Sequence, residues 1–307
     1  MQDASTNPPA TGVSPRLGPQ PGLTLVATPI GNLDDISPRA LAALAGADVV
    51  LCEDTRVTSK LLARHGISIT LWPLHDHNEE AQLPGLLAKL RAGAKLALVS
   101  DAGTPLMSDP GYRLTRAAIA EGLPVHAVPG PNAALVALTL SGLPPHPFMF
   151  QGFLPAKAGA RDAELARLKA MEQAGLSATL VFYEAPHRAA ETLAALAMTL
   201  GAARPAALAR ELTKRFEEMR RGTLEALAAG ALADPPRGEV VLLVGPAPAE
   251  ALGQASLDEA LRAAMASMSL RDAAASVALA QGLPRKSVYA RALELALELG
   301  GEKKTPE

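Results

Sequence analysis

The chain has very little cysteine, few aromatic residues and almost no net charge. Cys52 is the only cysteine among 307 residues, which excludes an intramolecular disulfide and a metal site built from several thiolates. The net charge is −2, so the chain does not have the excess of basic residues that is common in small nucleic-acid-binding domains. Only 3% of its residues are aromatic, which argues against an extended surface for stacking bases. Any binding of nucleic acid therefore has to use local patches.

Long apolar runs are missing as well. No uninterrupted apolar stretch reaches the roughly 18 residues that cross a bilayer, and the first residues lack the charged and apolar regions of a secretory signal. We therefore expect a cytoplasmic protein. Residues 1–22 are rich in Pro, Gly, Ser, Thr and Gln, a composition that predicts a disordered tail.

What the chain does contain is an alternation of short apolar runs with amphipathic stretches. From Leu23 to about Pro147 this pattern predicts an α/β fold with a mostly parallel sheet and helices on both faces. The Pro-, Gly- and Phe-rich segment from Ser141 to Gly159 is interpreted as a linker, and a second α/β layer follows it. The predicted divisions are a tail (1–22), an N-terminal α/β domain (23–147), a C-terminal α/β domain (148–247) and a helical module (254–300).

The helical module is predicted to contain three short helices. Its last two helices, with Gly282 between them, resemble a helix-turn-helix. After Tyr289 the final helix is rich in Ala, Leu and Glu and lacks a set of base-reading side chains. This composition favours contact with RNA or a partner over sequence-specific reading of DNA.

Three strand-to-loop junctions of the first domain combine glycine, proline and polar residues. They are Thr28–Leu33, Ser100–Gly111 and Pro129–Ala133. Ligands of open α/β sheets bind at the carboxyl ends of the strands, and glycine lets backbone approach a ligand closely. We predict that the three loops together build one pocket.

These loops resemble the tetrapyrrole methylase superfamily and, within it, the branch of small-subunit ribosomal RNA (cytidine-2′-O)-methyltransferases. The resemblance extends through Gly152–Pro155, Phe182–Arg188, Arg210–Lys214 and Gly238–Val241. It implies a two-domain tetrapyrrole-methylase-like architecture with a small C-terminal all-helical module. It also implies S-adenosylmethionine as cofactor and methylation of the ribose 2′-oxygen of a cytidine in the decoding region of 16S rRNA. The implied partners are 16S rRNA or the assembled small ribosomal subunit, and a second copy of the chain in a homodimer.

The same resemblance implies which residues bind the cofactor. In the first domain the implied residues are Pro29, Asp101, Ala102, Gly103, Thr104, Pro105, Pro131, Asn132 and Ala133. In the second domain Phe182, Tyr183, Leu208 and Ala209 are expected on the adenine side. For Asp101 the alternative is a turn or capping carboxylate, and Asp109, before Pro110 and Gly111, is expected to cap the helix that follows.

A ribose hydroxyl is a poor nucleophile, so a base or an orienting dipole would assist its attack. The polar residues near predicted strand ends are His77, Asp54, Glu53, Glu184 and Lys214. No general base is singled out among them, and proximity alone is the alternative. His75 and His77 lie at i and i+2 with no evident third ligand, so we predict no metal site.

Basic residues form three clusters that would suit an RNA phosphate path. They are Arg56, Lys60 and Arg64, then Lys214, Arg215, Arg220 and Arg221, and finally Arg285 and Lys286. A spacing of four places the first cluster on one helix face. A solvated helix surface is the alternative for each cluster.

Two other functions are weighed against RNA methylation. A tetrapyrrole C-methyltransferase is expected to have a glycine-richer first loop than Thr28–Leu33 and to lack the helical module. A non-catalytic nucleic-acid-binding protein would not need a large α/β body with a crevice suited to a ligand. Retention of a cofactor would separate this last class from the two enzymes.

Overall fold

The structure, a computed structural model, describes residues 20–248, 254–281 and 283–301. It contains two compact units, which divide between Ala133 and Ala134. The predicted tail lies outside the described residues except at its end, where Gly22 already begins the first strand.

The first unit contains a five-stranded sheet. Its strands are β1 (Gly22–Val26), β2 (Val49–Cys52), β3 (Leu71–Pro73), β4 (Lys95–Leu98) and β5 (Val125–Val128). They are arranged in the order β3-β2-β4-β1-β5, and every neighbouring pair is parallel. The prediction of a parallel sheet is confirmed.

Helices cover both faces of this sheet, as the alternation predicts. The helices are α1 (Pro38–Ala45), α2 (Thr55–Arg64), α3 (Glu79–Arg91) and α4 (Tyr112–Ala120). Ala97 and Val99 of the β4 segment pack with α1 and α2, whereas Leu96 and Leu98 pack with α3 and α4. Because successive side chains of a strand point to opposite faces, one apolar run contributes to two cores.

The second unit contains another five-stranded sheet, which is largely antiparallel. Its strands are β6 (Phe148–Phe153), β7 (Thr179–Glu184), β8 (Pro205–Arg210), β9 (Glu218–Thr223) and β10 (Val240–Val244), in the order β6-β7-β10-β8-β9. Only β6 and β7 are parallel. The helices that precede and follow these strands are α5 (Ala133–Ser141), α6 (Ala158–Gln173), α7 (Ala189–Leu200) and α8 (Leu224–Ala233). The last three share one apolar core with the sheet.

The sequence-based interpretation missed the two edge strands of this sheet. Strand β6 lies inside the segment interpreted as a linker, and its register shifts between Phe150 and Gly152. Strand β9 reads Glu-Met-Arg-Arg-Gly-Thr and has no buried residue. An edge strand pairs on one side only, so it needs neither a continuous apolar run nor a strict alternation. The linker interpretation is therefore wrong over β6.

The C-terminal helices are α9 (Gln254–Met265), α10 (Leu270–Gln281) and α11 (Arg285–Gly301), which confirms the prediction of three helices. Their core includes Leu261, Val277, Val288 and Leu295. Gly282, predicted at the turn, lies outside the described residues. Among the helices that are described, none is both long and apolar enough to span a membrane.

A buried ion pair links α6 to the start of β8 in the second unit. The side chains of Arg204 and Glu172 are 2% and 7% exposed, and Nη2 of Arg204 lies 2.5 Å from Oε1 of Glu172. Arg204 also donates to the carbonyl oxygens of Gly245, at 2.8 Å, and Leu200, at 3.3 Å. A buried guanidinium without a counter-charge is strongly unfavourable, so the fold depends on Glu172.

Replacing Glu172 with Gln keeps the shape of the side chain but leaves the Arg204 charge buried without a carboxylate. We expect Glu172→Gln to lower the melting temperature by roughly 6–20 °C. The matched control on the same helix is Glu164→Gln, which breaks the solvent-accessible ion pair with Arg167. This control should change the melting temperature by less than about 4 °C. Equal shifts for the two variants in thermal unfolding would contradict this role of Glu172.

Candidate active site

The three loops at the carboxyl edge of the first sheet meet, as predicted. Thr28 and Gly103 exchange two backbone hydrogen bonds, from Thr28 N to Gly103 O at 2.9 Å and from Gly103 N to Thr28 O at 3.1 Å. The Thr104 hydroxyl donates to the Pro131 carbonyl at 3.1 Å. The loop after β4 thus contacts the loops after β1 and β5. The three loops can meet because β1 lies between β4 and β5 in the sheet.

Glycine is required where these loops approach each other. A Cβ atom on Gly103, whose φ is +86°, would lie 3.3 Å from Cγ2 of Ile30. A Cβ atom on Gly130 would lie 3.0 Å from Cβ of Ala27. A Cβ atom at either position would require its neighbour to shift by a few tenths of an ångström, and the positive φ of Gly103 disfavours other residues in addition. The junction is therefore lined by backbone groups close to one another, which suits the polar edges of a small ligand.

The loop after β4 follows a strained path toward α4. Leu106 and Ser108 have φ values of +71° and +73°, a conformation that non-glycine residues rarely adopt. At Gly111 a Cβ atom would lie 2.3 Å from Cδ2 of Leu98, so this position also needs glycine. Backbone strain of this kind concentrates at functional sites, where surrounding contacts hold it in place.

Asp101 connects two strand ends in the first unit. Its Oδ1 accepts a hydrogen bond from the backbone N–H of Asp54 at 3.0 Å, which ties the loop after β4 to the loop after β2. The side chain is half-buried, and burial raises the pKa of its carboxyl group. Asp101 therefore holds the edge of the sheet together and still places a carboxylate there.

Asp109 does not cap the following helix, which corrects the prediction. The residue at the cap position of α4 is Gly111, and no side chain bonds there. Instead, Oε1 of the buried Glu79 accepts a hydrogen bond from Leu114 N at 2.9 Å. Glu79 reaches α4 from α3, 35 residues earlier, and such a long-range contact leaves no local pattern in the sequence.

Asp109 belongs instead to a group of acidic side chains at the carboxyl edge of the sheet. Burial, together with the negative charges of Glu53, Asp101 and Asp76, raises its pKa to about 7 against the opposing hydrogen bond from Ser100. Burial and the same neighbours also raise the pKa of Glu53. The sequence places these residues at strand ends but does not reveal that they lie close enough for their charges to interact.

Two of the residues considered as bases are held in ion pairs. Asp54 caps α2 and bonds the Arg56 side chain, with Nη2 and Oδ2 2.6 Å apart, and these hydrogen bonds lower its pKa to about 2. Lys214 bonds Glu239 and Glu211; burial lowers the pKa of its ammonium group, but these hydrogen bonds raise it more. Neither residue is suited to accept a proton at neutral pH.

Glu184 and His77 differ in their surroundings. Glu184 is buried and accepts hydrogen bonds from Thr192 Oγ1 at 2.6 Å and Ala185 N at 2.8 Å, so its contacts are structural. His77 is exposed in the loop after β3, and its ring centroid lies 6.0 Å from that of His75. The described residues contain no group of three or more His, Cys, Asp or Glu side chains that could hold a metal ion.

The four residues predicted on the adenine side face in two directions within the second unit. The side chains of Phe182 and Leu208 are fully buried in the core between the sheet and its helices, and the contact of these two residues with a cofactor stays a prediction. Tyr183 and Ala209 both pair with Val241 of β10 and therefore share the opposite face of the sheet. Their contact with a cofactor remains a prediction.

The predicted RNA-binding residues are exposed to different extents. Arg56, Lys60 and Arg64 are all exposed on α2, and Arg285 and Lys286 are exposed at the start of α11. Arg220 is paired with Glu218 and Asp234. Arg221 donates to the carbonyl oxygens of Leu140 and Ser141. Of the predicted cluster on and before β9, Arg215 and Arg221 are exposed, whereas Lys214 and Arg220 are partly buried.

A parallel α/β unit with a loop junction at its carboxyl edge, followed by a mixed α/β unit, defines a two-domain methylase fold. The chain belongs to the tetrapyrrole (corrin/porphyrin) methylases, whose family model matches residues 22–228. Residues 251–296 match a second model, described as the RsmI C-terminal HTH domain.

Similar proteins include two that are named ribosomal RNA small subunit methyltransferase I. The protein from Mesorhizobium japonicum is 52% identical over 90% of this chain and 92% of its own length. The protein from Vibrio cholerae is 46% identical over 89% of this chain and 95% of its own. A solved structure with the same fold is uroporphyrin-III C-methyl transferase from Thermus thermophilus complexed with S-adenyl homocysteine. It has a TM-score of 0.52 and 22% identity, covering 72% of this chain and 96% of that one.

The acidic group predicts a pH dependence of stability. The unfolded pKa of Asp109 is near 3.8 and its folded pKa is about 7, so the folded protein binds this proton more tightly and loses stability as the pH rises between these values. Asp109→Asn cannot ionise. We expect its melting temperature, relative to the unmodified protein, to rise between pH 5 and pH 8.

The control is Asp54→Asn. The pKa of Asp54 is lowered to about 2 from 3.8, so its stabilising ionisation is complete above about pH 5 and is lost only in acid. Its difference from the unmodified protein should therefore stay constant between pH 5 and pH 8. A constant difference for Asp109→Asn as well would contradict a buried, proton-binding Asp109.

Proposed function

We propose that this chain is an S-adenosylmethionine-dependent RNA methyltransferase, which methylates the 2′-oxygen of a cytidine ribose in the decoding region of 16S rRNA. The observation that carries the proposal is 52% identity over 90% of the chain to a ribosomal RNA small subunit methyltransferase I. The match of residues 251–296 to the RsmI C-terminal domain supports the same branch of the family.

The residues at the loop junction fit this cofactor. S-adenosylmethionine carries positive charge on its sulfonium and amino groups and has no phosphate. The group of Glu53, Asp76, Asp101 and Asp109 supplies negative charge at one edge of the sheet. The backbone of the loops at Gly103 and Gly130 supplies hydrogen-bonding groups without side chains in the way. When bound, the cofactor supplies the methyl group and the electrophilic centre.

The chain's own contribution is to bind and orient the reactants. A well-oriented acceptor gains much of its rate from proximity alone. Of the residues first considered as bases, Asp54 and Lys214 are committed to ion pairs and Glu184 to buried contacts. His77 and Glu53, both exposed at the carboxyl edge of the first sheet, remain the candidates to accept the hydroxyl proton.

The alternatives have less support. The uroporphyrin-III C-methyl transferase is 22% identical, against 52% for the RNA methyltransferase. A non-catalytic nucleic-acid-binding role would leave the strained loop and the acidic group in the first unit without a purpose. We propose rRNA or the small subunit as the substrate, the cytoplasm as the place of action and a homodimer as the working form, on the basis of the family resemblance.

The proposal predicts transfer of a labelled methyl group from S-adenosylmethionine to small subunits that lack their own modification. After nuclease digestion, mass analysis should find the label on a 2′-O-methylated cytidine. Free 16S rRNA, tested in parallel, separates naked RNA from the assembled particle as substrate. Measurable cofactor binding without label on either substrate, or a label on a base, would contradict the proposed reaction.

Asp101→Ala should weaken binding of S-adenosylmethionine by roughly 10- to 100-fold in titration calorimetry, because it removes a carboxylate from the junction. Asp48→Ala is the matched control. Asp48 Oδ2 accepts a hydrogen bond from Lys95 N, so it joins the same two strands at their amino ends. The control should bind the cofactor normally. Unchanged affinity in Asp101→Ala would refute this placement of the cofactor.

A further inference from the structure

The turn between β8 and β9 is held in a strained conformation. Glu211 and Thr213 have φ values of +51° and +64°, which non-glycine residues adopt at a cost in free energy. Glu211 Oε1 accepts hydrogen bonds from Lys214 Nζ at 2.9 Å and from Glu239 N at 3.2 Å. A Cβ atom on Gly238 would lie only 1.9 Å from this oxygen, so Gly238 leaves the space that Glu211 occupies.

Further contacts fix the same turn. Lys214 Nζ lies 2.5 Å from Glu239 Oε2, and Thr213 N donates to Glu217 Oε2 at 2.7 Å. The Leu212 side chain is buried beneath the turn. Lys214, predicted from the sequence to bind RNA, is therefore an anchor whose charge is compensated by two carboxylates.

What this anchored turn presents to solvent is Arg215 followed by Phe216. Phe216 is 64% exposed, more than any other Phe or Tyr in the part of the chain that is described. The Arg215 guanidinium carbon lies 5.6 Å from the centre of the Phe216 ring. Within the described ranges, Arg215 has no carboxylate partner, unlike its neighbours Lys214 and Arg220.

Single exposed apolar side chains are common on protein surfaces and need no function. This one differs because a strained and ion-paired turn fixes its position beside an uncompensated cation. An aromatic face next to an arginine is the combination with which proteins bind unpaired nucleotides. The base stacks on the ring and the guanidinium meets the phosphate.

We propose that Arg215 and Phe216 form a binding site for an unpaired nucleotide of the RNA substrate. The base stacks on the exposed ring of Phe216, and Arg215 pairs with an adjacent phosphate. This site would bind the substrate of the proposed function, and the identity of the RNA rests on that proposed function. Of the basic cluster predicted in this region, the proposed site uses only Arg215. It adds Phe216, an aromatic residue that an analysis of charge does not indicate.

The test measures binding of a short unstructured RNA by fluorescence anisotropy. Phe216→Ala should weaken binding by roughly 5- to 100-fold, the effect of losing one stacked base. Phe216→Trp should bind within about threefold of the unmodified protein, whereas Phe216→Leu, apolar but not aromatic, should lose nearly as much as Ala. Arg215→Ala should reduce the slope of log affinity against log salt by about 0.7, the value for one phosphate contact on a single strand.

Phe148→Ala, which removes another exposed phenylalanine of the same unit, is the matched control and should bind RNA normally. Cofactor affinity and melting temperature of each Phe216 variant should stay unchanged, which separates the site from a folding defect. Normal RNA binding by Phe216→Ala would overturn the proposal, as would an equal loss on a duplex of the same length. Failure of the unmodified protein to methylate small subunits would overturn the proposed function instead, since RNA binding is measured independently.

Discussion

The backbone pairing of Thr28 with Gly103 is the contact on which the candidate active site depends. Strands β1 and β4 are neighbours in a parallel sheet, and beyond their carboxyl ends the chains would normally separate into different connections. The two hydrogen bonds between Thr28 and Gly103 keep the loops together past the end of the sheet. The hydroxyl of Thr28 adds a third bond, to the Ser100 carbonyl at 3.2 Å. This pairing sets the positions of the loops after β1 and β4, and the hydrogen bond from Asp54 N to Asp101 adds the loop after β2.

Charge is distributed differently at the two places where we propose ligands bind. In the first unit, the negative charges of Asp76 and Asp101 contribute to the raised pKa values of Glu53 and Asp109, and this acidic group suits a cationic cofactor. In the second unit, carboxylates compensate most of the basic side chains around β9 and leave Arg215 exposed. A chain with a net charge of −2 can thus offer a cation to RNA without a global basic excess.

The sequence predicts the first unit better than the second, for physical reasons. Strand β2, which lies between β3 and β4, is fully buried and is a continuous apolar run, because central strands of a parallel sheet are covered on both faces. The edge strands β6 and β9 lack that requirement and were missed. The three loops are predictable because Gly and Pro mark strand ends. The wrong expectation for Asp109 comes from the long-range contact of Glu79 with α4, which local patterns do not encode. Lys214 and Arg220 likewise each have one distant partner, Glu239 and Asp234, beside a carboxylate close by in the sequence.

The most direct measurement of the central claim is hydrogen exchange of the protein with and without S-adenosylhomocysteine. The account predicts slower exchange in the three loops that meet at Thr28 and Gly103, namely 28–33, 100–106 and 129–133, because a ligand bound there shields their amides. Protection limited to other segments, with binding of the ligand verified in the same sample, would contradict the assignment of the junction as the cofactor site.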